Sequence, residues 1–438
     1  MDLLRAALDC GVVGAGGAGF PTYVKLKAKS DTIIVNGAEC EPLLRVDQEL
    51  MAAHAEILAE GLSAVMDFTG AKKGFFALKA KYHQAADSLR SAAKTSGNAI
   101  KVFKLGDFYP AGDEHVLVHE VTGRTAPAGG IPPDAGVTVI NVETLYNLVL
   151  AGQGKPVIVK YVTVAGAVTR PATFAVPVGI AFHELIDLSG GVTVKEYGLI
   201  EGGPLMGRLS SPDQVVTKTT KGIIVLPTDH PCLTGKRVNL KAQIRRAAAS
   251  CCNCRMCTDL CPRYLLGHPL EPHHSLNAIA YGLADRLERY TQAYLCSECG
   301  VCDTYACQMG LSPRALHVEI KRQLVAAQIG NPFRQKVEAR EERQWRRIPG
   351  ARMIARLDLV DYNTPAPLAG NKVTPRRVYL LLKQDAGVPG IPLVKPGDYV
   401  SVGQKIAAPA EGKLGGVLHA SMDGKVSRVD QGIEITAV

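Results

Sequence analysis

In residues 2–9, DLLRAALD, apolar positions recur at helical spacing with no β-branched run, which predicts a helix. A glycine-rich loop follows. Pro21 then suits the first turn of a second helix continuing through Tyr23, Lys25 and Leu26. Residues 31–36, DTIIVN, predict a strand, and residues 101–105 and 137–140 predict two more extended segments. From 157 to 210 the chain changes to short β segments, VIVKYVTVAGAV, TFAVPVG and GLIEGGPLMG, with a short helix near 181–188. Residues 271–292 predict one helix with Leu276, Ile279, Leu283 and Leu287 on its apolar face. Residues 388–438 alternate as short strands, with turns at Gly397-Asp398 and Asp423-Gly424. No run approaches the ~18 apolar residues of a membrane span, so no transmembrane segment is predicted. The fold class is α/β, multidomain.

The pattern locates the glycine loop but not its use. GVVGAGGAGF (11–20) satisfies G-x-G-x-x-G through Gly14, Gly16 and Gly19. A Rossmann loop of that form must follow a buried strand. Here a helix precedes it, so the match is coincidental. Five glycines in nine residues, Gly17 among them, cost conformational entropy without structural return. Bare amides, with Lys25 one to two turns further on, suit a phosphate. Asn36 ends the first strand with an amide that donates and accepts, as flavin ring edges require. Glu39 and Glu41 place carboxylates beside it, suited to ribose hydroxyls or a nicotinamide amide. The same logic recurs at YPAGDE (109–114) and VINVET (139–144). In an α/β sheet such residues meet in the crevice at the strand ends.

Cysteine spacing adds a second chemistry. Nine of the 12 cysteines lie between 251 and 307. Cys251, Cys254, Cys257 and Cys261 form C-x2-C-x2-C-x3-C-P, the bacterial ferredoxin run. Cys296, Cys299, Cys302 and Cys307 form a second run, with four residues before the last cysteine and Gln308 in place of proline. In two-cluster ferredoxins the fourth cysteine serves the other cluster. One [4Fe-4S] cluster is therefore assigned to Cys251, Cys254, Cys257 and Cys307, and the other to Cys296, Cys299, Cys302 and Cys261. Zinc is the competing occupant, but two such runs carry more thiolates than it needs. Cys252 is out of register, and Cys10, Cys40 and Cys232 are expected to be small buried residues. His268, His273 and His274 are expected at the surface or as caps, with a site for a metal-containing acceptor as the sharper reading.

The net charge of +9 raises nucleic acid as a partner, but aromatic residues are only 5% with one Trp, and none is expected. The densest basic run, 340–347, is interleaved with Glu341 and Glu342 and predicts a solvated helix face, with docking of an acidic partner as the alternative. The first residues lack a basic stretch and a long apolar core, so no secretory signal is expected and the location is cytoplasmic.

GAGGAGFPTYVKL, NGAECEP, YPAGDE and INVETL resemble the flavin-binding domain shared by the NADH-oxidising subunit of respiratory complex I and the C subunit of Rnf complexes. The resemblance covers about residues 10–150. It implies FMN held by Gly14, Gly16, Gly17, Gly19, Lys25, Asn36, Asn141 and Thr144, with Tyr109, Gly112 and Asp113 lining the site. It implies NADH received by Glu39, Glu41 and Glu114. The complex I pattern has an acid where this chain has Ala38, which favours the Rnf side. Residues 157–210 resemble the soluble-ligand-binding β-grasp (SLBB) domain of the same family. Residues 388–438 resemble the barrel-sandwich domain of biotinyl and lipoyl carriers. The tip Ser421-Met422-Asp423-Gly424 lacks the modified lysine, which leaves packing or docking as its use. The expected units are 1–152 (FMN and NADH), 153–232 (β-grasp), 233–345 (an α-helical, ferredoxin-like two-cluster domain) and 346–438 (linker and barrel-sandwich).

With the barrel-sandwich module last, the domain order resembles the cobalamin reductases of propanediol-utilisation microcompartments. That implies NADH-dependent reduction of cobalamin from Co(III) through Co(II) toward Co(I). FMN converts a two-electron donor to one-electron carriers. The expected path is NADH, FMN, the Cys251 cluster, the Cys296 cluster, then the acceptor, with no catalytic acid, base or nucleophile. Implied partners are an adenosyltransferase and microcompartment shell or lumen proteins, and the implied location is within or at a bacterial microcompartment. The rival functions are the electron-input subunit of an Rnf-type membrane complex and an electron conduit of the shell.

Overall fold

The computed structural model describes residues 2–95, 99–370 and 373–438. The strand Thr32–Gly37 carries Ile33, Ile34 and Val35 side by side, all fully buried, as a strand covered on both faces requires. It pairs in parallel with Lys73–Lys79 on one edge and Val137–Asn141 on the other, and Ile100–Leu105 completes the sheet. The chain runs outward from Thr32–Gly37 in one direction and returns on its other side. This reversal opens a crevice between the carboxyl ends of Thr32–Gly37 and Val137–Asn141. Asn36 and Asn141 stand opposite each other at its mouth.

A mixed five-stranded sheet follows, in the order Ala172–Pro177, Val159–Gly166, Gly222–Pro227, Tyr197–Glu201, Arg208–Ser210. The helix Phe182–Leu188 packs on it through Phe182, Leu185 and Ile186. Its central strand, Gly222–Pro227, lies beyond the β segments read from the pattern. The last module closes two small sheets on one core that includes Val378, Leu380, Ile406, Ile433 and Ile435. Its tip packs inward: the Ser421 hydroxyl donates to the Val178 carbonyl at 2.6 Å.

Two expected elements differ. The helix expected over 271–292 is two helices, Pro272–Ala280 and Leu287–Thr291. Gly282 takes φ +64°, and the Leu283 amide turns back to the Ala278 carbonyl at 2.9 Å, which closes the first helix. Leu287 is consequently exposed. The basic run at 340–347 is a 3-10 turn, Glu341–Trp345, and not a solvated helix face. Arg343 is buried against Glu120, Arg347 reaches the same carboxylate at 2.9 Å, and Arg346 reaches Asp259 at 3.4 Å. The partners of these arginines lie far away in sequence, so local spacing could not show them.

The residues after this turn, expected as a linker, form a strap. Ile348–Pro349 pairs antiparallel with Phe108–Tyr109, and Met353, Leu357 and Leu359 share one core with Tyr109, Leu205 and Cys299.

Candidate functional site

The glycine loop spans the mouth of the crevice. Its base is closed by a bridge between Val13 and Pro21, and the Gly14 amide donates to the Phe20 carbonyl at 2.9 Å. The Ala15 amide donates to the Thr144 hydroxyl at 2.9 Å. The amides of Gly16, Gly17 and Ala18, all exposed, meet no acceptor among the described residues. Backbone donors are seldom left unused without a ligand or water to take them. Gly17 holds φ +115°, and a Cβ there would meet nothing within 4 Å, so the donors border open space. This cradle fits an anionic group such as the FMN phosphate.

Lys25 projects from the short helix Thr22–Lys25. Its Nζ donates to Glu114 Oε1 at 2.7 Å and to the Val139 carbonyl at 2.8 Å. Glu114 stays 41% exposed beside it. The amides expected to face a flavin have other partners here. Asn36 Nδ2 donates to the Gly112 carbonyl at 3.0 Å, and its Oδ1 accepts from the Ala38 amide. Asn141 caps the helix Val142–Gly152, its Oδ1 accepting from the Glu143 and Thr144 amides, and its Nδ2 donates to Asp47. At Asn141 the strand runs straight into a helix, and the asparagine satisfies the amides this leaves free. Asn36, Asn141 and Thr144 therefore shape the cradle and its walls.

The acids are also engaged. Glu41 accepts from the Leu205 and Met206 amides at 2.9 Å each and from the Tyr109 hydroxyl at 3.3 Å. The expectation was a carboxylate presented to NADH; in the structure it clamps the second domain to the first. Glu39 is buried, accepts from the Asp47 amide at 3.0 Å, and shares Lys221 with Asp47. One ammonium cannot neutralise two carboxylates. Burial, then the Asp47 charge, pushes Glu39 from its ordinary 4.5 up to about 7. The folded state then holds a proton that the unfolded chain has lost. Glu39's contribution to stability is complete below about pH 4.5 and is lost as pH rises through about 7. Glu39→Gln is expected to flatten stability against pH across that interval, read from urea midpoints. A profile parallel to wild type would refute this.

The cysteines form two groups. Burial, then the neighbouring Cys307, Cys251 and Cys254, pushes the Cys257 thiol up to about 12. Cys261, also at about 12 through burial, is set among Cys296, Cys299 and Cys302. The last cysteine of each run thus crosses to the other run's group. Buried sulfurs of this kind ionise only beside a strong positive centre. Four thiols in each group fit the donor set of a [4Fe-4S] cluster.

The two groups differ in place. The Cys299 carbonyl accepts the Tyr109 hydroxyl at 2.7 Å, and Arg263, just past Cys261, pairs with Asp113 at 3.0 Å. Loop 109–113 therefore touches the flavin crevice through Gly112 and the Cys261/Cys296/Cys299/Cys302 group through Tyr109 and Asp113. Cys252 and Cys254 are exposed. The group bonded to loop 109–113 is thus the one built mainly from the second run, where the expected path had the Cys251 group first.

The histidines also depart from expectation. His268 and His273 are buried, and His273 Nδ1 shares a hydrogen with Thr258 Oγ1 at 2.7 Å. His274 pairs with Glu271 at 2.9 Å. Pattern reading missed Arg263 and Tyr109 as the ties between domains, since no local spacing marks them.

The family model described as the Nuo51 FMN-binding domain matches residues 8–150, the SLBB domain 161–209, the 4Fe-4S dicluster domain 250–312, and the RnfC barrel sandwich hybrid domain 366–437. Cobalamin reductase PduS of Citrobacter freundii is 42% identical over 433 residues, 98% of this chain and 94% of that protein. The C subunit of the Na(+)-translocating ferredoxin:NAD(+) oxidoreductase complex of Acetobacterium woodii is 35% identical over 270 residues, 60% of this chain and 58% of that one. A crystal structure of an NAD+-reducing [NiFe]-hydrogenase shares the fold at a TM-score of 0.50 and 21% identity, over 74% of this chain and 61% of that one.

Proposed function

The chain belongs to the family of the PduS cobalamin reductases, and from that membership we propose that it passes electrons from NADH, by way of FMN and two [4Fe-4S] clusters, to cobalamin. The observation that carries the reading is loop 109–113, which joins the crevice under the free amides to the inner cysteines.

The amides of Gly16, Gly17 and Ala18, with Lys25, would hold the FMN phosphate, and Asn36, Asn141 and Thr144 would keep the cradle open. Cys261, Cys296, Cys299 and Cys302 would hold the inner cluster, and Cys251, Cys254, Cys257 and Cys307 the outer one. FMN supplies exchange between a two-electron donor and one-electron carriers, and the clusters supply the one-electron relay. The remaining work of the chain is placement: Asp113 and Arg263 fix the spacing between domains, and Glu41 fixes the second domain over the first. No side chain exchanges a proton or forms a bond in this reading. Among the described residues no helix is long and apolar enough to cross a membrane. We place the protein within or at a bacterial microcompartment on domain order alone.

Lys25→Met removes one charged donor from the cradle. A hydrogen bond to a charged group is worth about 1.5–3 kcal/mol, so FMN affinity is expected to fall roughly 10- to 150-fold. Flavin fluorescence titration checks this, and unchanged affinity would place the phosphate elsewhere.

The function is tested by rebuilding the clusters anaerobically, adding FMN, and mixing with NADH and hydroxocobalamin. NADH-dependent appearance of Co(II), lost without FMN or in Cys254→Ala, supports the reading. Flavin bleaching with the corrinoid unchanged would turn it toward an Rnf-type input subunit.

A further inference from the structure

Residues 230–258 contain six Lys and Arg and no Asp or Glu. Two of the six are engaged: Lys236 donates to the Leu205 and Gly207 carbonyls, and Arg255 pairs with Glu271 at 3.4 Å. Arg237, Lys241 and Arg245 are exposed and have no acidic partner within 4.0 Å among the described residues. Arg246 is exposed too, and its one hydrogen bond is to the Met309 carbonyl at 3.2 Å.

The helix Leu240–Ser250 organises them. Leu240, Ile244 and Ala247 face inward and, with Cys251 at its end, pack against Leu276, Leu311 and Leu316. Lys241 and Arg245, four apart, line the opposite side, where like charges repel. The last turn holds no cation, so these charges do not serve the helix dipole. The helix leads directly into Cys251 and the exposed Cys252 and Cys254. Met256 and Met309, 36% and 43% exposed, flank the same cysteine group. An adaptable apolar centre with a charged rim is the anatomy of a transient protein interface. The basic run at 340–347, by contrast, is spent on Glu120 and Asp259.

We propose that this face is a docking surface for an acidic protein that brings the electron acceptor to the outer cluster, with Lys241, Arg245 and Arg246 as its cationic anchor. The proposal rests on the reading that Cys251, Cys254, Cys257 and Cys307 hold the outer cluster. Unpaired cations beside an electron exit speed encounter with a partner of opposite charge and make it sensitive to salt. Residues 230–258 contain no Phe, Trp or Tyr, so the stacking platform of a single-strand nucleic-acid site is missing there.

The test uses the reconstituted holoprotein, with flavodoxin as an acidic probe and cytochrome c as a basic one. Binding is measured by titration calorimetry at low and high salt, and iron content and NADH-driven flavin bleaching are recorded on the same samples. Flavodoxin is expected to bind at low salt, to weaken at least tenfold at high salt, and to weaken at least tenfold in Lys241→Glu/Arg245→Glu with iron content unchanged. Equal binding of cytochrome c, equal binding of a DNA duplex, or flavodoxin binding unaltered in the variant would overturn the proposal. Failure to assemble iron on Cys251, Cys254, Cys257 and Cys307 would overturn the cluster reading and the proposal together. Full iron content without flavodoxin binding would overturn the docking proposal alone.

Discussion

Lys160→Met is expected to lower the stability of the protein by about 3–5 kcal/mol. Lys160 sits on Val159–Gly166 of the second sheet, and Glu143 opens the helix Val142–Gly152 of the first domain. Their side chains are fully buried and joined in a salt bridge. Glu143 also accepts from the Tyr161 amide at 3.0 Å, and Lys160 donates to the Tyr161 carbonyl at 3.2 Å. Removing the lysine leaves a buried carboxylate without its direct ion-pair partner, with only the Lys221 charge nearby, and that weakly compensated burial is the source of the loss. Replacing both partners, as Glu143→Leu/Lys160→Met, is expected to recover most of it, because two matched apolar groups carry no desolvation penalty. Urea unfolding followed by circular dichroism measures both; the single Trp, Trp345, is 74% exposed and reports little of the core. A single variant within about 1 kcal/mol of wild type, well under the buried-pair cost, would show that the pair does not rivet the domains.

The second large effect separates the two cysteine groups. Cys261→Ala and Cys254→Ala are both expected to leave flavin reduction by NADH intact and to drop corrinoid reduction to background. They part at the iron. In Cys254→Ala, the group bonded to loop 109–113 through Cys299 is intact, so NADH still reduces its iron. In Cys261→Ala, iron held by Cys251, Cys254, Cys257 and Cys307 is expected to stay oxidised, because loop 109–113 bonds to the damaged group and not to these residues. Low-temperature electron paramagnetic resonance after mixing with NADH distinguishes the two. Rapid reduction of the outer iron in Cys261→Ala would restore the order in which the runs occur along the chain.

Much of the cofactor chemistry was legible because its geometry is local. Three cysteines at two-residue intervals can wrap one cluster whatever surrounds them, and the spacing also implied the crossing of the fourth cysteines. The helix before the glycine loop excluded a Rossmann site for an equally local reason, since that site needs a strand there. The break at Gly282 was legible in principle, as a glycine closing an apolar helix, but the continuing leucine periodicity concealed it.

Other features depend on residues far apart in the chain. Glu41 reads as a free acid until the second domain brings the Leu205 and Met206 amides to it. Arg343 reads as solvated until the fold sets it against Glu120. The strand Gly222–Pro227 reads as an isolated apolar segment until it occupies the centre of the second sheet. By itself the sequence determined which groups this protein can hold and in what order its domains follow, because ligand spacing and strand and helix periodicity are properties of neighbouring residues. Only the tertiary structure decided which cysteine group faces the flavin domain, which acids are engaged and which cations stay free. Those outcomes are set by long-range packing and charge pairing, for which the linear order carries no register.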